Sequence, residues 1–243
     1  MLTHKVRKIK MSKTDESINN NKQTLVQHLI ELRSRLIKSL VLIFIVFVIA
    51  YIFADNIYDF LVQPYADAVA GESGRRLIFT ALHETFFTYL KVALFASIFI
   101  SLPFILMQIW IFVAPGLYKN EKSVVIPYLI ATPVLFLLGA ALVYFFIMPL
   151  AIKFFLSFES IGGQGSLPIQ LEAKVNEYLS LIIRLIFAFG ISFQLPVLLT
   201  LLARVSLVSS DGLRNNRKYV IVGVFIIAAI ITPPDPISQI GLG

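Results

Sequence analysis

Two carboxylates in this 243-residue chain stand among basic groups, and that setting suits the capture of a cation. Glu31 lies in Thr24-Leu-Val-Gln-His-Leu-Ile-Glu-Leu-Arg-Ser-Arg-Leu-Ile-Lys38. Glu121 lies in Gln108-Ile-Trp-Ile-Phe-Val-Ala-Pro-Gly-Leu-Tyr-Lys-Asn-Glu-Lys122, between Lys119 and Lys122. A carboxylate accepts two parallel N–H bonds from one guanidinium, so a pair of such groups on one basic surface fits a ligand with arginines. A local reading stands beside it. Glu31 and Arg35 are spaced i, i+4 and can form an intrahelical pair worth about 0.2–0.5 kcal/mol, with Glu121 a solvated loop charge.

Other chemistry finds no residues to carry it. There is no His-Glu-x-x-His and no Gly-x-Ser-x-Gly, and the three histidines, His4, His28 and His83, lie far apart in sequence, with no cluster of His and carboxylates at metal spacing. The absence of cysteine removes disulfides, thiolate metal ligands and a Cys nucleophile. Gly162-Gly-Gln-Gly-Ser166 lacks the spacing and the Lys-Ser/Thr of a phosphate loop and reads as a flexible turn. No catalytic residue, metal or cofactor is expected, and the chain is not read as an enzyme.

The elements that must position Glu31 and Glu121 are apolar. The sequence is 58% hydrophobic and 14% charged, with a mean hydropathy of +0.84. That is more apolar surface than a soluble domain can hide, and the fold class is all-α, a polytopic helical membrane protein. Five spans are predicted at 37–53, 86–113, 124–150, 178–205 and 219–232, the last short for a full crossing. They form one transmembrane domain over residues 24–243 behind a disordered polar leader, 1–23, within which Met11 is an alternative start. With the N-terminus in the cytoplasm, segments 1–38, 114–123 and 204–218 carry 15 Lys/Arg against five acids, and the rest carries six against nine. The positive-inside rule favours that orientation. It also explains the net charge of +7 by topology, so nucleic acid is not an expected partner.

Thr24 and Gln27 have capping-box spacing and predict a helix start. Leu25, Leu29, Leu32 and Leu36 make one apolar stripe opposite His28, Glu31, Arg35 and Lys38, which suggests a helix resting on the membrane surface. The outer loop 54–85 predicts interfacial helices broken at Pro64. Trp110 and Tyr118 read as interfacial anchors, and Pro115-Gly116 as a helix stop. Pro103, Pro127, Pro133, Pro149 and Pro196 are either ordinary membrane-helix prolines or bends that give a curved wall with a concave face. Lys91 and Arg184 can snorkel from near the outer ends of their spans. Gln194, deep in the fourth span, is either a helix–helix hydrogen bond or part of a functional polar patch.

The stretches His28-Leu-Ile-Glu-Leu-Arg-Ser-Arg-Leu36, Trp110 to Glu121, Phe189-Gly-Ile-Ser-Phe-Gln-Leu-Pro196, Leu213-Arg-Asn-Asn-Arg-Lys-Tyr219 and Thr232-Pro-Pro-Asp-Pro-Ile-Ser-Gln239 occur in the order seen in TatC. The chain thus resembles, from about residue 24 to its end, the multispanning subunit of the twin-arginine protein translocase. The resemblance implies export of folded proteins driven by the proton-motive force from the bacterial cytoplasmic (inner) membrane. It implies TatA and TatB as single-span partners and self-association in a multimeric complex. It places Glu31 and Glu121 where the family binds the signal peptide's twin-arginine motif, with Arg33, Phe112, Pro115, Leu117 and Tyr118 around them. Thr232 and Gln239, with Gln194, are implied in docking a partner helix, and Pro64 and Asp235 match outer-loop positions important in the family. Gln194 departs from the glutamate of many relatives. The family has six spans, and this chain is expected to stop at the sixth, near Ile240-Gly-Leu-Gly243. A secondary transporter with a midplane site near Gln194 and Pro196, and a purely structural scaffold, are the competing readings.

Overall fold

A computed structural model describes residues 2–71, 74–117, 122–160, 162, 167–204, 212, 214, 217–231 and 236–242. Within these, the side chains of 2–25, 28, 113–117, 122–126, 204, 227 and 231 are not described. The described elements are helical: α1 (Leu2–Ile52), α2 (Ala54–Ala68), α3 (Glu84–Leu117), α4 (Lys122–Leu142), a π-helical turn (Val143–Ile147), α5 (Met148–Leu156), α6 (Val175–Ser192), α7 (Leu195–Arg204), α8 (Arg217–Ile231) and α9 (Pro236–Leu242). Four stretches among the described residues are long and apolar enough to cross a membrane: Leu29–Ile52, Glu84–Phe112, Pro127–Leu156 and Val175–Ala203. α8 has 15 residues, about 22 Å at ~1.5 Å per residue, shorter than a full crossing as the sequence predicts.

α1 packs along α3, and α4 packs between α3 and α6. The core lies where α2, α3, the π turn and α6 converge, on Leu61, Val92, Val143, Leu179 and Ile182, with Phe136 of α4 equally buried. α4 and α6 approach so closely that a Cβ on Gly139 would stand 2.8 Å from the Phe189 carbonyl oxygen. On Gly190 it would stand 2.3 Å from the Phe136 ring. Small residues here let two membrane helices meet almost backbone to backbone.

Several local expectations need correction. α1 runs through Thr24, so the capping box does not start it, and no Pro or Gly interrupts residues 2–52. The stretch around Glu31 is therefore continuous with the first span instead of resting on the membrane surface. Of its leucine stripe, Leu29 and Leu36 are exposed and Leu32 is half-buried, while Arg35, holding Glu31, is turned toward Gln108 of α3. α3 continues through Pro115 and Gly116 to Leu117. The outer-loop helix is not broken at Pro64, which sits inside α2. Proline has no N–H for the carbonyl four residues back, at Phe60. The Tyr144 hydroxyl donates to that carbonyl instead, at 2.7 Å. At the third span, the π turn inserts an extra residue just before Pro149 and the helix then continues to Leu156.

The fourth span is two helices. It breaks at Phe193 and Gln194, where the Gln194 N–H bonds Ile191 O at 2.9 Å, a tightened turn, ahead of Pro196. Pro196 disfavours helical geometry at the residue before it and cannot donate to Ser192.

The outer loops are tied together. Ile78 bridges Lys174 in parallel, and Ser160 bridges Ile169 in antiparallel fashion. The Arg75 guanidinium grips both oxygens of Glu159, and the Leu171 N–H donates to Glu159 Oε1 at 2.6 Å. Lys91 is not a snorkelling cation: its ammonium donates to Asn176 Oδ1 at 2.5 Å and Ser180 Oγ at 2.6 Å, pinning α3 to the start of α6.

Candidate functional site

The amino-terminal side of the bundle is built on α1 and the far end of α3, which the antiparallel course of the two helices brings together. Arg35 is the hinge of the cluster. Its Nε and Nη2 donate to Glu31 Oε1 at 3.1 and 2.6 Å, one helical turn back. Its Nη1 donates to Gln108 Oε1 of α3 at 2.8 Å. The Arg35 side chain is 20% exposed and that of Glu31 40% exposed, so water and a ligand can reach the carboxylate. A charge-assisted bond here is less screened than in open solution, but the pair is not sealed away.

Phe112 follows Gln108 by one turn on the same face of α3 and is half-buried. Trp110 stacks on Tyr128 of α4, ring centroids 5.4 Å apart, which fixes α3 against α4 at this end. Arg33 is exposed and stands two residues from both Glu31 and Arg35, about 200° round the helix, outside the Arg35 cluster. Pro115 and Leu117 lie in the last turns of α3, their side chains outside the described residues, and Tyr118 and Glu121 lie outside them altogether. Gln108 had no role assigned from sequence. The available signal was one amide, four residues before Phe112, in an otherwise apolar run.

The second polar group is at the break in the fourth span. Gln194 Nε2 donates to the Thr132 carbonyl of α4 at 3.0 Å and to the Gly190 carbonyl at 3.4 Å. The second bond has a local cause. The Gln194 backbone N–H serves Ile191, so Gly190 loses its usual helical partner and the side chain takes that place. Gln194 is therefore a helix–helix hydrogen bond, while its Oε1 is buried with no hydrogen-bond partner among the described residues. Gln239 is half-buried on α9, beside a buried Ser238. α9 packs against α6, and a Cβ on Gly241 would stand 2.9 Å from Ile147 Cδ1. Thr232 and Asp235 lie outside the described residues, and Pro64 is buried in α2. No group of three or more metal-ligating side chains occurs among the described residues.

These motifs recur in known proteins. Residues 27–243 match the family described as Sec-independent protein translocase protein (TatC). A TatC of Magnetococcus marinus is 48% identical over 221 residues, covering 91% of this chain and 79% of that protein. The TatC of Escherichia coli K12 is 37% identical over 217 residues, covering 89% and 81%. A crystal structure of the twin-arginine translocase receptor TatC in DDM superposes with a TM-score of 0.74 at 35% identity, over 88% of this chain and 94% of that one. The chain belongs to the TatC family, and is a multi-pass membrane component of a protein translocase rather than an enzyme.

Proposed function

We propose that this chain is the signal-peptide receptor and core scaffold of a twin-arginine translocase in the bacterial inner membrane, with its N-terminus in the cytoplasm. The observation that carries the reading is the half-exposed Glu31 carboxylate already holding a guanidinium, that of Arg35. A surface that binds one arginine in this way has the chemistry to bind another. In the free state Arg35 occupies Glu31, and Gln108 steadies Arg35 from α3. An incoming arginine exchanges for it, and Glu121 takes the second arginine. Arg33, Phe112, Pro115, Leu117 and Tyr118 frame the motif. The apolar part of the signal then inserts along the concave face beyond Gln108.

TatB and TatA helices are expected to dock near Thr232, Gln239 and Gln194. Assembly there into a multimeric complex, with transport driven by the proton-motive force, completes the cycle. Pro64 and Asp235 serve on the outer side. Residues 1–23 are the polar leader.

The test is capture of a signal peptide by the full chain, with and without its two arginines. Capture should need both arginines and should vanish in Glu31→Lys and in Glu121→Lys. Equal capture of the arginine-free peptide would overturn the assignment.

A further inference from the structure

The wall holds two adjoining hollows on the side of the α2 loop, and together they have the form of an amphiphile. One hollow, about 420 Å³, is apolar and lined by Ile57, Phe95, Phe99, Leu137 and Ala141 among others. The other, about 490 Å³, is lined by Gln63, Asp67, Pro149 and Lys153 among others. Phe60, Tyr144 and Phe145 line both, so the two adjoin along these three side chains. The neck is built, not incidental. The Tyr144 ring stacks on Phe60 at 4.4 Å between centroids, and the Tyr144 hydroxyl donates to the carbonyl that Pro64 leaves without a helical donor. The π turn carries Tyr144 and Phe145 into this position, a distortion often found at functional sites.

The depth suits one leaflet. Ala141 to Lys153 is 12 residues, about 18 Å of helix, beside a hydrocarbon half-thickness of about 15 Å. The polar end carries both signs of charge. Lys153 makes no ion pair or side-chain hydrogen bond among the described residues. Asp67, on the same hollow, has its Oδ1 steadied by Gln63 Nε2 at 2.7 Å and forms no ion pair with Lys153. A lone cation and a separate carboxylate at the mouth of an apolar groove complement a headgroup that bears a phosphate and an ammonium.

We propose that this groove is a phospholipid site selective for phosphatidylethanolamine, with an acyl chain in the apolar hollow, the phosphate on Lys153 and the primary ammonium on Asp67. The occupant is a lipid and not a peptide segment because the polar end offers one cation and one anion at the interface, the charge pattern of a zwitterionic headgroup. Phosphatidylglycerol lacks the ammonium, and the quaternary ammonium of phosphatidylcholine has no N–H to donate.

The experiment uses the full chain in nanodiscs of phosphatidylethanolamine and phosphatidylglycerol, with a trace lipid carrying a diazirine at its acyl terminus. Cross-linked peptides are mapped by mass spectrometry. The phosphatidylethanolamine probe should label the segment around Leu137 and Ala141 roughly tenfold more than phosphatidylglycerol or phosphatidylcholine probes. Lys153→Glu, at an exposed position, should remove that preference while signal-peptide capture and helicity are kept. Ala141→Trp should displace the label by filling the hollow. Equal labelling by the three lipids, or labelling unchanged in Lys153→Glu, would overturn the proposal. So would loss of the label on adding a signal peptide when Lys153→Glu has no effect, since the groove would then belong to the peptide. Capture of the peptide is read separately, so the receptor assignment can fail or hold independently.

Discussion

The two ends of this helical wall are held by different kinds of contact. On the side of the α2 loop, Arg75 grips Glu159, Lys91 is pinned between Asn176 and Ser180, and Tyr144 and Tyr178 donate to the α2 carbonyls of Phe60 and Leu61. Donors and acceptors there come from segments far apart in sequence and close off one another's bonding capacity. On the amino-terminal side, among the described residues, Arg35 bonds Glu31 on its own helix and Gln108 on α3. The first arrangement fixes loops and helix ends. The second can be exchanged for an equivalent guanidinium at little cost to the fold. On the function proposed above, the difference separates a scaffold end from a recognition end, and variants should sort accordingly.

The largest loss of stability is expected where helices meet without side chains between them. Gly139→Val places a Cβ 2.8 Å from the Phe189 carbonyl oxygen, which belongs to backbone and cannot swing aside. A cost of about 1–3 kcal/mol is expected, read as a lower unfolding midpoint of the detergent-solubilised chain. Tyr144→Phe should come next. It leaves the Phe60 carbonyl without the donor that replaces the missing Pro64 N–H, and an unpaired carbonyl of this kind costs about 1–3 kcal/mol, toward the lower end where water reaches it. Tyr144→Phe keeps the ring stack on Phe60, so the loss should exceed that of a neutral surface change if the hydroxyl matters.

The Arg75–Glu159 tie gives a pH signature. Arg75 hydrogen bonding, then the Leu171 N–H, hold the Glu159 carboxyl down at about 2, below its ordinary value of about 4.3. A depressed folded-state value means that the contribution is complete above the ordinary value and is lost as pH falls toward 2. The unfolding midpoint of the wild-type chain should fall over that window, and the midpoint of Glu159→Gln should fall less. Parallel curves would remove this tie from the scaffold end. Smallest in stability is Glu31→Gln, because a half-exposed i, i+4 pair contributes only about 0.2–0.5 kcal/mol. Its midpoint should be nearly that of wild type while capture of a twin-arginine peptide is lost. A large destabilisation instead would make Glu31 part of the scaffold and erase the contrast between the two ends.

How much could be read from sequence follows the same division. Apolar runs long enough to cross a membrane identify themselves, so four of the five expected spans were legible, as was the placement of Glu31 among basic groups; α8, with 15 residues, is too short to identify itself in this way. Facing was harder. The leucine spacing marks an apolar side, but Leu29 and Leu36 turn outward while Arg35, on the polar side, turns to α3, the reverse of a helix on a water surface. Prolines were legible as positions and not as outcomes. Pro64 is accommodated by a tyrosine 80 residues later in the chain, Pro149 follows a π turn, and Pro196 accompanies a true break. Each outcome depends on which neighbour supplies the missing hydrogen bond, and no local pattern records that neighbour. Gln108 and the Arg75–Glu159 pair escaped for the same reason.

The central claim is that Glu31 recognises a guanidinium of the signal peptide. A double-mutant cycle tests it: equilibrium binding of an Arg-Arg and a Lys-Lys peptide to the full wild-type chain and to Glu31→Gln. If Glu31 bonds the peptide's arginine, the two changes will be strongly non-additive. The Lys-Lys peptide will bind wild type about tenfold more weakly or worse, and the two peptides will bind Glu31→Gln nearly alike. Additive losses, with Glu31→Gln still preferring Arg-Arg by the full wild-type factor, would contradict it.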